Sequence, residues 1–156
     1  MQEFTCCFIG HRHVNESQEL LQRLSLNIEK LILNKQVDTF LFGSKSDFNS
    51  LCYEAVTQLR KKYPFIKRVY VRAEYPEIDK NYEAYLLERY EDTYYPKQIL
   101  RAGRAVYVER NYHMINQSKF CIVYYTEKSF PQKRKSGTKI ALKYAIEMKK
   151  EIILLG

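Results

Sequence analysis

The chain switches repeatedly between two hydrophobic periods, and that alternation limits its fold more than any other feature. Phe4–Ile9 is a short run of apolar and β-favouring residues that stops at Gly10. Over Ser17–Asn34 the apolar residues Leu20, Leu21, Leu24, Ile28, Leu31 and Ile32 recur with a period near 3.6, the mark of an amphipathic helix. Thr39–Phe42 is a second short strand, closed by Gly43. Asp47 is placed to cap a helix carrying Leu51, Ala55, Val56 and Leu59 that stops before Pro64. Arg68–Arg72, Phe120–Tyr125 and Glu151–Leu155 read as three further strands. Between the last two, Ser136 is placed to cap a helix with Ile140, Ala141, Tyr144, Ala145 and Met148 on one side. Strands separated by helices imply parallel β-α-β units, because parallel neighbours need crossover connections. The expected fold class is α/β, with a doubly wound, mostly parallel five-stranded sheet flanked by helices. No internal repeat or low-complexity linker interrupts residues 1–156, which read as one domain.

Composition excludes several alternatives. Hydrophobic residues are 46% and charged residues 28% of the chain, enough apolar mass for a core and too much for a disordered protein. No apolar run approaches the roughly 18–20 residues of a membrane span. The opening MQEFTCCFIG has Glu3 ahead of its short apolar run and no basic region, so it does not read as a signal peptide. The expectation is a soluble, cytoplasmic protein without a membrane partner.

Twenty-six Lys and Arg against 18 Asp and Glu leave a net charge of +8, which favours an anionic partner. The surplus is carried largely by two stretches, Arg60, Lys61, Lys62, Lys67, Arg68 and Arg72, and then Lys128, Lys133, Arg134, Lys135, Lys139 and Lys143. Solvated surface patches account for them as well as a binding role does. The four cysteines, Cys6, Cys7, Cys52 and Cys121, form no C-x-x-C pair, and Cys6 and Cys7 point to opposite faces of a strand. Buried reduced thiols are the reading, with no metal site and no cofactor expected.

The segment Ala73–Val108 breaks the alternation. It holds Tyr75, Tyr82, Tyr85, Tyr90, Tyr94, Tyr95 and Tyr107, half of the 14 tyrosines, with Pro76 and Pro96 as breakers. Tyr82–Arg89 reads as a short helix and Val106–Gln117 as another. So many rings with polar tips suit a lid, an interface or a ligand wall. An irregular excursion packed on the sheet edge is the plainer alternative.

In an open parallel sheet, ligands bind outside the carboxyl ends of the strands. Three loops there suit an anion: Gly10-His11-Arg12 after the first strand, Gly43-Ser44-Lys45 after the second, and Ser136-Gly137-Thr138 at the helix after the fourth. Glycine lets backbone approach closely, and a helix N-terminus offers free N–H groups. Cys7-Phe8-Ile9-Gly10-His11-Arg12, Gly43-Ser44, Glu109-Arg110-Asn111-Tyr112-His113-Met114 with Ser118, and Ser136-Gly137-Thr138 with Ala141, Tyr144 and Ala145 resemble the SLOG superfamily. The likeness is to its small single-domain bacterial members and spans nearly the whole chain.

The resemblance implies a Rossmann-like fold that holds nucleotides or nucleotide-derived ligands. Related members are the Lonely Guy phosphoribohydrolases, which release a base from a nucleoside monophosphate, and the DNA-processing protein A family, which binds single-stranded DNA. In the hydrolases an R-K-x-x-M stretch and a P-G-G-x-G-T-x-x-E stretch supply an arginine and a glutamate. Here Arg110 and Met114 match the first, but Asn111 replaces the lysine, and Lys139, Ile140 and Ala141 stand where acids would follow Thr138. N-glycosidic cleavage passes through an oxocarbenium-like state that a carboxylate stabilises. Without that glutamate the resemblance implies a binder, a sensor or small regulatory module rather than an efficient enzyme.

The site implied is Gly10, His11 and Arg12 with Ser136, Gly137 and Thr138 on phosphate, Gly43 and Ser44 leaving room for ribose, and Arg110 as a second cationic ligand. The alternative is a nucleotide N-glycosidase with a relocated carboxylate, for which Asp47, Glu54, Glu109, Arg110 and His11 are the candidate groups. Asp47 serves equally as a helix cap, Glu54 as a solvated charge and Glu109 as a surface ion on a first helical turn. His11 suits a hydrogen bond to ligand or to a neighbouring loop better than acid–base work, since no carboxylate lies near it in sequence. Single-stranded nucleic-acid binding, by stacking and backbone contacts, is a third reading. Excess apolar surface around the tyrosines and Tyr112 and Met114 adds the expectation of a homo-oligomer, most simply a two-fold dimer.

Overall fold

The structure, a computed structural model, describes residues 2–99, 103, 105–126 and 137–156. Its elements follow in the order β1 (Thr5–Gly10), α1 (Gln18–Lys35), β2 (Thr39–Phe42), α2 (Asp47–Lys62), β3 (Lys67–Val71), α3 (Lys80–Arg89), β4 (Asp92–Tyr94), α4 (Ala105–Asn116), β5 (Phe120–Tyr124), α5 (Gly137–Glu147) and β6 (Glu151–Leu155). One sheet of six strands runs β4-β3-β2-β1-β5-β6, and every neighbouring pair is parallel. From β1 the chain builds outward through β2, β3 and β4, then returns to the other side of β1 for β5 and β6.

Side-chain alternation splits the sheet into two core layers. Cys6, Phe8, Phe40, Phe42, Phe120 and Ile122 pack with the α1 stripe Leu20, Leu24, Ile28, Leu31 and Ile32 and with α2. Cys7, Ile9, Leu41, Val69, Val71, Cys121 and Val123 face the other way, against Met114 and Ile115 of α4 and Ala141 and Ala145 of α5. Both faces of the central strands β1, β2 and β5 are buried, which explains their near-continuous apolar composition. Cys6 and Cys7 fall in different layers, and all four thiols are free and buried. In register on adjacent strands, Cys7 and Cys121 bring their sulfurs within 3.6 Å.

Three points correct or complete the expectations. The sheet has six strands rather than five, because β4 pairs with β3 from Val69↔Asp92 to Val71↔Tyr94. Three residues, Asp-Thr-Tyr, are too few to show a period, and Asp is depleted in strands. The strand forms through its surroundings: Thr93 donates to the Tyr70 carbonyl at 2.9 Å, and Glu91 pairs with Arg68 at 2.7 Å. Second, within Ala73–Val108 the helix read at Tyr82–Arg89 forms as α3 and the one read from Val106 as α4, and β4 adds regular structure between them that the plainer alternative of an irregular excursion lacks. Third, Asp47 does not cap α2. Ser46 does, its Oγ accepting the Asn49 N–H at 3.1 Å, and Asp47 is the first helical residue.

Candidate functional site

A cavity of about 900 Å³ opens where the carboxyl ends of β1, β2 and β3 meet the loop before α3, the inner side of α4 and the first turn of α5. Two glycines shape it for different reasons. A Cβ on Gly10 would lie 2.1–2.6 Å from the Phe48 side chain, so the end of β1 lies flat on α2 only because the side chain is absent. A Cβ on Gly43 would lie 2.7 Å from Met114 Sδ and 2.8 Å from Arg110 Nε. The end of β2 thus makes space for an arginine.

That arginine is the most distinctive group in the cavity. Arg110 is 5% exposed, yet no carboxylate comes within ion-pair distance of it among the described residues. Its Nη1 donates to the Gly43 carbonyl, and Nη2 donates to Asn111 Oδ1 at 3.3 Å. Its Nε is buried with no hydrogen-bond partner among the described residues. The guanidinium lies 5.5 Å from the centre of the Tyr107 ring. Burial pushes its pKa down, and the charges of Tyr70, Tyr107 and Glu74 act in the opposite sense. Arg72, at the end of β3, also lines the cavity with its Nε buried and unpartnered. Arg12 and Lys45 add two exposed cations.

Acidic groups enter from one side. The loop before α3 contributes Glu74, Glu77 and Asp79. Glu74 accepts a hydrogen bond from the Tyr107 hydroxyl, and Asp79 caps α3 by accepting the Tyr82 N–H at 2.7 Å. The cavity is therefore polarised, with cations at the strand ends and carboxylates along one rim. Among the described residues no three His, Cys, Asp or Glu side chains gather as metal ligands.

Of the residues singled out in the sequence, Gly10, Arg12, Gly43, Ser44, Arg110, Gly137 and Thr138 all line this cavity. Ser136 lies outside the described residues. His11 is turned away: it is 1% exposed, and its Nε2 accepts the Thr126 N–H at 2.8 Å. Nε2 also lies 3.1 Å from the Thr126 carbonyl oxygen, to which it donates when it carries the proton instead. Burial lowers the His11 pKa, against the opposing effect of the Thr126 contact. Asp47 also points elsewhere, its Oδ2 accepting the Val14 N–H at 3.3 Å with His13 Nδ1 at 3.7 Å. Glu54 is exposed on α2, and Glu109 lies on α4 away from the cavity lining.

The sequence reading placed none of Arg72, Glu74, Glu77, Asp79 and Tyr107 in the site, though it counts Arg72 in a basic stretch and Tyr107 among the tyrosines suited to a ligand wall. All but Tyr107 follow β3, whose end carries no glycine to mark it. The rule that ligands gather beyond strand ends would have found that loop. The first basic stretch also divides: Arg60 and Arg68 pair with Glu91, and Lys62 with Glu29, while Arg72 serves the cavity.

No family model matches the chain, and no curated protein matches it either. A solved structure does. The Moco carrier protein of Chlamydomonas rheinhardtii matches over 100% of this chain and 77% of its own, with a TM-score of 0.53 and 13% identity. The likeness is one of fold. No helix among the described residues is long and apolar enough to cross a membrane.

Proposed function

We propose that this protein binds a nucleotide or nucleotide-derived ligand in the strand-end cavity, as a sensor or small regulatory module of the SLOG type. The observation that carries this reading is Arg110, a buried guanidinium with no carboxylate beside it and an unpartnered Nε. An uncompensated buried charge costs free energy, and a fold that retains one gains when an anion completes its coordination. A phosphate is well matched, since its oxygens accept from the planar guanidinium fork in pairs. Arg72 would share that anion, with Arg12, Gly10 and the Gly137–Thr138 turn at its far side. Ribose would lie beside Gly43 and Ser44, its hydroxyls within the reach of the acidic rim, much as acids recognise ribose in other doubly wound sheets. The cavity volume falls in the ordinary range for small-molecule sites, about 300–1,000 Å³. That the similar fold belongs to a protein named as a carrier supports a binding role over a catalytic one.

Two measurements test this. Mass spectrometry of small molecules released from natively purified protein is expected to recover a nucleotide-type anion. Calorimetry with AMP is expected to show saturable binding that Arg110→Met weakens about tenfold or more. Protein that carries nothing and binds no nucleoside phosphate would refute the proposal.

A second reading keeps one observation of its own. Glu74 brings a carboxylate, held by Tyr107, into the cavity that holds Arg110, and an N-glycosidase with a relocated acid would use it. Base release from AMP, abolished by Glu74→Gln with binding retained, would establish the enzyme; binding without base release is the expected result. The proposed assembly is a two-fold homo-dimer, supported by exposed Ile146, Met148 and Leu154 on and beside α5 and β6. Light scattering that finds only monomer mass at micromolar concentration would refute it.

A further inference from the structure

A second cavity, of about 320 Å³, shares Ser44, Lys45, Tyr70 and Tyr82 with the first. The Gly43–Lys45 turn divides them. On one side the Gly43 carbonyl receives Arg110; on the other the Gly43 N–H donates to Asn49 Oδ1 at 3.5 Å, and Asn49 lines the smaller space. The remaining walls of that space differ in kind from the cationic one: Tyr53, Tyr85 and Tyr90 surround it.

Part of this wall is rigid. Tyr90 is 7% exposed and packs on the rings of Tyr53 and Tyr70, with centroids 5.1 and 5.2 Å away. Burial pushes its hydroxyl pKa up to about 12. The Tyr53 hydroxyl is fixed by donating to the Arg89 carbonyl at 2.7 Å, while the Arg89 guanidinium lies over the Tyr53 and Tyr85 rings at 5.1 and 5.7 Å. The rest is less enclosed: Tyr82, half-buried against the core, and exposed Tyr85, one helical turn apart on α3, hold their rings nearly parallel, 15° between planes. Aromatic faces backed by a fixed floor form a platform for a flat ring, because stacking uses the face of any base.

We infer that the smaller cavity is the base subsite of the ligand, with Tyr82 as its principal stacking surface. This rests on the phosphate end being held at Arg110. The two cavities then form one bipartite site, spanned across the Gly43–Lys45 turn, and the ligand class narrows to one with a planar nitrogenous base joined to a phosphorylated sugar. A bare sugar phosphate would fill only half of it. Stacking of this kind favours aromatic over non-aromatic ligands while discriminating weakly among bases.

The test compares AMP with ribose 5-phosphate by calorimetry, on the parent protein and on Tyr82→Leu, Tyr82→Phe and Tyr85→Leu. The parent is expected to prefer AMP by about tenfold or more. Tyr82→Leu should reduce that preference at least fivefold, Tyr82→Phe should retain it, and Tyr85→Leu, at an exposed position that does not endanger the fold, should lose part of it. Equal binding of the two probes by the parent would overturn the base subsite alone, as would a preference that survives both leucine variants. Binding of neither probe would overturn the phosphate site and the base subsite with it.

Discussion

The loops after β1 and β2 look alike in sequence and do opposite things in the structure. Each opens with glycine after an apolar strand and continues through small polar and basic residues, Gly10-His11-Arg12 and Gly43-Ser44-Lys45. In the first, glycine allows the strand end to lie against Phe48, and the following histidine turns inward to bind the backbone at Thr126. That loop joins β1 to the end of β5, and of its three residues Arg12 and the Gly10 backbone face the cavity. In the second, glycine makes room for Arg110, and the backbone on both sides of it is engaged, by Arg110 and by Asn49. A glycine at a strand end therefore marks close approach, and the neighbour that approaches decides between scaffold and site. A phenylalanine ring makes one loop structural; a guanidinium without a carboxylate partner makes the other the proposed anion site.

The sharpest way to break this contrast is to add one methyl group to each glycine. In Gly10→Ala the new carbon meets Phe48 within 2.1–2.6 Å along its inner atoms, which cannot move without shifting α2. Overpacking of this kind costs roughly 1–3 kcal/mol or more, and a chain of this size should lose about 5 °C or more in its melting midpoint. In Gly43→Ala the obstructing atoms are Met114 Sδ and Arg110 Nε, near the ends of flexible side chains. Its melting midpoint should fall less while AMP affinity falls more, because Arg110 is the group displaced. Thermal melts and calorimetry on both variants check the pair, and equal loss of stability in the two would erase the distinction.

Arg110→Met removes the proposed anion ligand and leaves both loops' sequences unchanged, losing its bond to the Gly43 carbonyl. Charge-assisted contacts are worth about 1.5–3 kcal/mol, so AMP affinity should fall roughly tenfold to a hundredfold. Stability should move little, within about 1 kcal/mol, since relief of a buried unpaired charge offsets the lost bond to the Gly43 carbonyl. Urea unfolding and calorimetry read the two effects separately. A large loss of stability with affinity unchanged would make Arg110 a structural residue.

The histidine of the first loop should show the reverse pattern, and its pH dependence has a fixed sign. Burial lowers the pKa of His11, and also of His113, whose Nε2 lies 2.7 Å from the Tyr94 hydroxyl. The folded protein then binds fewer protons than the unfolded chain over the interval from the usual 6.5 down to the lowered values. Their contribution to stability is fully present above that interval and is lost as the pH falls through it. Melting midpoints should therefore drop on acidification below about pH 6.5. His11→Gln should flatten part of that slope while its profile of AMP affinity against pH stays that of the parent protein. An affinity profile altered by His11→Gln would put the imidazole back in the site.

How much of this was legible in the sequence follows from which features are periodic. The apolar stripe of α1, the short buried strands β1, β2 and β5 and the apolar edge strand β6 are repetitive patterns, and their layers follow from alternation alone. The position of Asp47 against Ser46 as helix cap was not legible, because both side chains can cap and the difference of one residue is set by where the chain leaves β2. β4 was invisible since its pairing comes from Glu91 reaching Arg68 across 23 positions of sequence. The cationic half of the site was largely legible, through glycine and arginine at strand ends. Its acidic rim was not, because Glu74, Glu77 and Asp79 resemble ordinary surface charge until the sheet sets them opposite Arg110.

The smallest effect sharpens the comparison within the first loop itself. Read from sequence, Arg12 is a phosphate ligand whose loss should cost about tenfold or more in affinity, by the scale of charge-assisted contacts. The structure leaves Arg12 at the exposed edge of the cavity, while Arg110 lies beneath it in a buried setting. An exposed cation acts through water, and such pairs contribute about 0.2–1 kcal/mol, so Arg12→Ala should cost AMP affinity no more than about fivefold. The two arginines should also differ in salt dependence, because mobile ions reach an exposed charge and not a buried one. At an ionic strength where the screening length is about 3 Å, the penalty of Arg12→Ala should nearly vanish while that of Arg110→Met remains. Calorimetric titrations of both variants at low and high salt make the measurement. If Arg12→Ala costs as much as Arg110→Met and resists salt, the loop after β1 closes over the ligand on binding, and the division between scaffold and receptor holds only for the unliganded protein.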